Sequence, residues 1–395
     1  MLLNQARAWQ RMEQDGLAAL VATAPENVTY TSGYWAMSQW IRRGPQAYAL
    51  YPAPGRGGPC IVASTGALDL VADQDPWVKE VRRYGFFVVE TDPGAVLEPR
   101  DRRLQELCQA PDDGDAVGAL VRAIRDRGLE GARIAVDEIG ILPAYLERLR
   151  QALPTTTCVP GWDVFRHVRA VKTAEEVERL RGAAQIAERA IAAALAVARE
   201  GATERELALA FNETTVREGA LPVLGCIGTG PRSALPNCQP TDRKLQRGDV
   251  IRFDVGGRFR HYRADIARNA VLGEPGAKVA RYHRALCAGL ERAWEVMRPG
   301  AKTADVYQAV METVQREGLP HYRRNHVGHG IGLDGYDVPN LTPESREVLE
   351  EGMVLSVETP YYELGFAGLQ VEDTVRVTRD GVESLMSTTT ALRVV

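Results

Sequence analysis

Two stretches of this chain repeat one another. Gly201-Ala-Thr-Glu-Arg…Glu213-Thr…Arg217-Glu-Gly returns 99 residues later as Gly300-Ala-Lys-Thr-Ala…Glu312-Thr…Arg316-Glu-Gly, with seven identities at one offset. Each copy reads as a helix preceded by a longer one, over about 174–199 and 277–298, and followed by strand-like segments. Two amphipathic helices can look alike by chance, but the same order of segments around both points to duplication. The expected architecture is two similar α+β halves facing each other. Where their sheets meet is a common place for a pocket.

The strand-like segments after each copy carry acids where burial is expected. Asp254 lies in Val250-Ile-Arg-Phe-Asp-Val-Gly-Gly and Asp265 in Arg263-Ala-Asp-Ile-Ala-Arg, joined by a hairpin through Gly256-Gly-Arg-Phe-Arg-His-Tyr. His329 lies in Gly328-His-Gly-Ile-Gly-Leu-Asp, Glu358 in Leu355-Ser-Val-Glu-Thr-Pro, and Glu372 in Leu369-Gln-Val-Glu-Asp-Thr. A second hairpin turns near Glu363-Leu-Gly-Phe-Ala-Gly. Four carboxylates in apolar runs are costly to bury without a cation. Four carboxylates and an imidazole can hold two divalent ions roughly 3.5–4 Å apart, an arrangement that activates water at neutral pH. Oxygen-rich ligation with one imidazole suits Mn, Co, Fe or Zn alike. Glu358 is the ligand best suited to take a proton from that water and pass it to a leaving nitrogen.

The chain has 395 residues, enough for two domains. Over residues 1–160, Leu17-Ala-Ala-Leu-Val-Ala and Ala132-Arg-Ile-Ala-Val-Asp read as buried strands, and 142–153 has helical spacing. This is an α/β domain with no catalytic set of its own. Val159-Pro-Gly-Trp-Asp punctuates the join, so the α+β domain is expected over 161–395. It opens on Thr173, which forms a capping box with Glu176. The net charge of −4 leaves no electrostatic footprint for nucleic acid or an anionic membrane. There is no apolar run of about 18 residues, and the first ten residues lack the apolar core of a signal peptide. The six cysteines show no zinc spacing and read as reduced thiols of a cytoplasmic protein.

The motifs Gly248-Asp-Val-Ile-Arg-Phe-Asp-Val-Gly-Gly, Asp265-Ile-Ala-Arg, Gly328-His-Gly-Ile-Gly-Leu-Asp, Val357-Glu-Thr-Pro and Val371-Glu-Asp-Thr resemble those of the pita-bread metallopeptidases (peptidase family M24), the prolidase, aminopeptidase P and creatinase group. Tyr30-Thr-Ser-Gly-Tyr is similar to the N-terminal domain of the creatinase and prolidase members. The resemblance implies a pita-bread fold behind an α/β N-terminal domain. It also implies two metals on Asp254, Asp265, His329, Glu358 and Glu372, and a small-molecule or short-peptide substrate.

Around the ligands the chain departs from that pattern. Asn237, after Arg232-Ser-Ala-Leu-Pro, stands where prolidase-like members have histidine; so does Tyr336, after Gly335. Gln370 stands where proline-specific members have arginine. Four residues before His329 lies Asn325 in place of a common histidine, with His326 beside it. Asn237, Tyr336 and His326 are carried as candidate catalytic residues and Gln370 as a substrate contact. Amide and phenol keep hydrogen bonding but lose imidazole's near-neutral titration, and glutamine loses bidentate carboxylate recognition. In creatinase-like relatives the region of Trp35, Trp40 and Arg42 reaches a partner's active site, so the loop 34–43 implies a homodimer, with Trp35 and Arg42 as substrate contacts. Three functions stay open: an Xaa-Pro-type peptidase, a specialised hydrolase of a small non-peptide C–N substrate, and a non-catalytic peptide-binding module.

Overall fold

The computed structural model describes residues 1–39 and 44–395, and the chain divides into two compact units, Met1–Arg169 and Ala170–Val395. Among the described residues the first unit holds β1 (Ala19–Ala22), β2 (Tyr48–Pro52), β3 (Cys60–Ser64), β4 (Glu80–Tyr84), β5 (Arg133–Val136) and β6 (Thr157–Pro160) in one sheet, ordered β4-β3-β2-β1-β5-β6. β1 pairs antiparallel with β2 and parallel with β5, the mixed pattern of an α/β layer. The helix Ala116–Asp126 is capped by Asp115, whose side chain accepts from two backbone N–H groups, and it packs Val117, Leu120 and Ile124 into the core.

The passage between units comes at the end of the helix Trp162–Ala170, and not at the Pro160-Gly161 punctuation expected to mark it. The reason is packing. Phe165 and Val168 of this helix are buried, the Arg7 Nε donates to the His167 carbonyl at 2.8 Å, and the Arg169 guanidinium donates to the Asn27 side chain.

The second unit shows the duplication directly. Its helices are Ala174–Ala196 and Glu204–Arg217 in the first half, and Ala277–Val296 and Thr303–Arg316 in the second. Thr173 with Glu176 and Thr203 with Glu206 form capping boxes on the first pair. The strands are β7 (Leu221–Thr229), β8 (Val250–Phe259), β9 (Tyr262–Arg263), β10 (Ile266–Val271), β11 (Gly328–Gly330), β12 (Asp337–Asn340), β13 (Val354–Glu363), β14 (Ala367–Val377), β15 (Val382–Ser384) and β16 (Arg393–Val394). The main path across the sheet runs β12-β11-β13-β14-β10-β8-β7. The first half gives β7, β8 and β10, the second gives β11, β13 and β14 in mirrored order, and the halves join where β10 meets β14. One apolar core lies under each half. The first gathers Leu207, Phe211, Ile251 and Phe253, the second Leu286, Val310, Leu355 and Leu369.

Candidate metal centre

Strand register assembles the site. Asp254 on β8 is the partner of Ala267 on β10, Ala267 of Glu372 on β14, and Glu372 of Glu358 on β13. Residues directly opposite across a ladder project to the same face. Three carboxylates therefore share one rung of four strands, and the Ala267 methyl leaves space between them. Asp265 precedes Ala267 by two residues and faces the same way by strand alternation. His329 on β11 is the partner of Ser356, two residues before Glu358, so it joins the same face.

Glycines allow the approach. A Cβ on Gly256 would sit 1.8 Å from the Ala264 carbonyl oxygen, and one on Gly330 would sit 2.2 Å from that of Val338. The first contact holds the strand of Asp254 against the chain entering Asp265. The second holds the residue after His329 against the neighbouring strand.

Asp265, His329, Glu358 and Glu372 are buried, and Asp254 is half-buried. Ligand atoms of Asp265, His329 and Glu372 all lie within 4.8 Å of one another. His329 Nδ1 lies 3.0 Å from the Gly330 carbonyl, an acceptor, so this nitrogen carries the proton and Nε2 presents its lone pair. Nε2 is 3.8 Å from Asp265 Oδ2. Burial holds the imidazole neutral, down to about 4. Burial also pushes the carboxyls of Asp265 and Glu372 well above their usual range, and the neighbouring carboxylates push the same way. Asp265 Oδ1 is buried without a hydrogen-bond partner. An orphaned buried oxygen, a neutral imidazole lone pair and crowded acids are what a divalent cation relieves, so the residues fit the ions expected from sequence.

A cavity of about 340 Å³ opens beside the rung and is lined by Asn237, Tyr336, His326 and Gln370 as well as by four of the five ligands. His329 itself lies beneath Tyr336, whose ring stacks on the imidazole with centroids 3.9 Å apart and planes 23° apart. Tyr336 is 63% exposed, which puts it at the mouth. His326 Nδ1 lies 3.2 Å from Glu358 Oε1. Glu358 is pushed up to about 7, first by burial, with Arg324 opposing and Asp254 adding. Asn325 is exposed, while Arg324 and His326 on either side of it line the cavity. Of the two neighbours it is His326, and not Asn325, that reaches the cavity. Trp35 is described within the first unit, where its backbone N–H and C=O both bond the Gln74 side chain. Trp40 and Arg42 lie outside the described residues.

Sequence reasoning passed over three residues here. Arg252, with no exposed surface, donates from Nη1 to Gln370 Oε1 at 2.8 Å and ion-pairs with Asp254 at 3.3 Å. Tyr362 donates to the same Gln370 oxygen at 3.0 Å. Arg324 is the third. A signal existed for Arg252: it is a charge inside an apolar strand-like run, two residues before Asp254 and hence on its face. Cys226 lines the cavity and pairs in register with Asp254; burial pushes its thiol up to about 11, away from nucleophilic use.

Such a site on a duplicated α+β frame belongs to the metal-dependent hydrolases. Comparison with known proteins narrows the class: residues 178–379 match the model of metallopeptidase family M24, and residues 5–171 match the Creatinase/Prolidase N-terminal domain. The chain belongs to metallopeptidase family M24. It is 34% identical to the probable dipeptidase PepE of Mycobacterium bovis over 69% of this chain and 72% of that one. It is 33% identical to the Xaa-Pro dipeptidase of Pyrococcus furiosus over 57% of this chain and 66% of that one. Among solved structures, the X-Pro aminopeptidase of Thermotoga maritima superposes with a TM-score of 0.79 at 25% identity, covering 98% of this chain and all of the other. The pita-bread fold that the motif resemblance implied is thus the fold of this chain, its two α+β halves being the copies of the repeat. Among the described residues no helix is long and apolar enough to cross a membrane.

Proposed function

We propose that this chain is a dinuclear peptidase that cleaves short peptides at an Xaa-Pro-type amide bond. The observation that carries this reading is the rung of Asp254, Glu372 and Glu358, completed by Asp265 and His329. All five would hold metal, drawn from Mn, Co, Fe or Zn. The chemistry such ions supply, when bound, is activation of water and polarisation of an amide carbonyl. Glu358 is placed to take a proton and deliver it to the leaving nitrogen, because its two oxygens are oriented by His326 at 3.2 Å and by the Gln370 amide at 3.2 Å. Asn237 and Tyr336 offer neutral hydrogen bonds to substrate where imidazoles are usual.

A hydrolase of a small non-peptide C–N substrate is the second reading, favoured by the three replacements Asn237, Tyr336 and Gln370. A purely binding role is disfavoured by the retention of all five ligands. A cytoplasmic homodimer accompanies the proposal, and mass in solution tests the dimer. The experiment is to load the purified chain with each metal, count bound ions by elemental analysis, and assay Ala-Pro, a longer Xaa-Pro peptide and cyclic or guanidino amides. Two ions per chain and turnover of an Xaa-Pro bond are expected. A chain that takes up no ion at micromolar free metal would overturn the catalytic reading.

A further inference from the structure

Three side chains near the cavity could pair with an acidic group on a substrate, and two of them are already committed. Gln370 accepts from Arg252 and Tyr362 at its oxygen and donates to Glu358 from its nitrogen. Arg252 donates from Nε to the Ser233 carbonyl at 2.9 Å, and from Nη2 to the carbonyls of Leu235 at 2.7 Å and Pro236 at 2.9 Å, besides holding Gln370. Arg324 is different. It lines the cavity, its guanidinium carbon lies 5.8 Å from the centre of the Tyr362 ring, and its Nε is buried without a hydrogen-bond partner. Among the described residues lining the cavity it is the one arginine or lysine.

The charge balance points the same way. Two divalent ions would match the four ligand carboxylates, and Arg252 already pairs with Asp254, so the Arg324 guanidinium is left as positive charge facing the substrate space. A planar fork with free donors fits a carboxylate better than any neutral group. We propose that Arg324 is the specificity-determining residue that grips the free C-terminal carboxylate of a dipeptide substrate, a role that position 370 has given up in this chain. The inference rests on the peptidase reading above and names the substrate end it selects.

The test compares Ala-Pro with Ala-Pro-amide on the manganese-loaded full chain, as wild type, Arg324→Met and Arg324→Lys. Charge-assisted hydrogen bonds of this kind are worth roughly ten- to a hundred-fold. The ratio of kcat/KM for acid over amide should fall by about that factor in Arg324→Met, mainly through KM, and recover in part in Arg324→Lys. Calorimetry of L-proline against L-prolinamide gives a readout free of turnover, with the same loss of preference expected. An unchanged ratio, or equal losses on acid and amide, would overturn the role of Arg324. If the loaded wild type cleaves neither substrate, the peptidase reading fails. Proline binding then decides Arg324 alone: preference lost in the methionine variant supports it, preference kept refutes it.

Discussion

Glu358 and Glu372 stand directly opposite each other across the β13–β14 ladder, both buried. Like charges so placed repel, and the arrangement persists because the site is built for cations. Glu372→Gln should therefore leave the metal-free chain as stable as the wild type or more so. It should also abolish the stabilisation that manganese confers, which for one site at a hundredfold excess over Kd is about 2.7 kcal/mol. Thermal unfolding with and without metal checks both signs. A variant destabilised without metal would mean that the carboxylate pair supports the fold.

Gly256→Ala tests the closeness of the aspartate strands. The new Cβ would meet the Ala264 carbonyl at 1.8 Å, a backbone atom that cannot swing aside. Overpacking of this kind costs about 1–3 kcal/mol. The strands must part next to Asp265, so metal affinity should fall along with stability. Gly58→Ala, where a Cβ meets nothing within 4 Å, is the control and should change neither.

Removal of Arg252 should cost far more stability than removal of Arg324. Arg252→Met leaves Asp254 without its ion-pair partner and takes one donor from Gln370 and from each of three backbone carbonyls, at a cost of about 3–5 kcal/mol. Arg324→Met removes no hydrogen bond of Nε and should cost under about 1 kcal/mol. Urea unfolding of the metal-free variants separates the two; equal losses would contradict the different roles assigned to them.

His283 sets part of the acid limit. Burial first, and then Arg268, lower its imidazole from the ordinary 6.5 to about 4. As pH falls from 6.5 to 4 the unfolded chain takes up this proton before the folded one does. The stability contributed by the neutral ring is thus whole above 6.5 and lost through that window, by at most about 3 kcal/mol. His283→Gln should flatten this part of the stability curve, measured by unfolding at pH 7 and pH 4.5. A slope unchanged from wild type would show that other groups carry the acid sensitivity.

Much of the site could be read from the chain because its ligands sit in local patterns. Asp254, Asp265, Glu358 and Glu372 lie in runs whose hairpin turns are close in sequence, and the repeat exposes the two halves before any contact is known. What escaped depends on distance or on phase. The bond from Arg252 to Gln370 joins strands far apart in the chain and follows from β8–β10–β14 register, which local motifs do not show. Arg324 lies in Tyr322-Arg-Arg-Asn-His, a polar run that reads as solvated loop. His326 and Asn325 differ by one position, and which of them faces the cavity is fixed by tertiary packing. The compact units divide after Arg169 for a similar reason: Pro160-Gly161 is strong punctuation, yet the helix that follows is held by Arg7 and Asn27 from the beginning of the chain.

The division of ligands between the halves carries a consequence for how the site is completed. Asp254 and Asp265 come from the first copy of the repeat, and His329, Glu358 and Glu372 from the second. The first copy alone would own two acids and a sheet edge, too few donors for the pair of ions proposed above. It could close such a site only by meeting its twin. Joined in one chain, the copies complete the site without that dependence on concentration, the first offering short aspartates and the second longer glutamates and an imidazole.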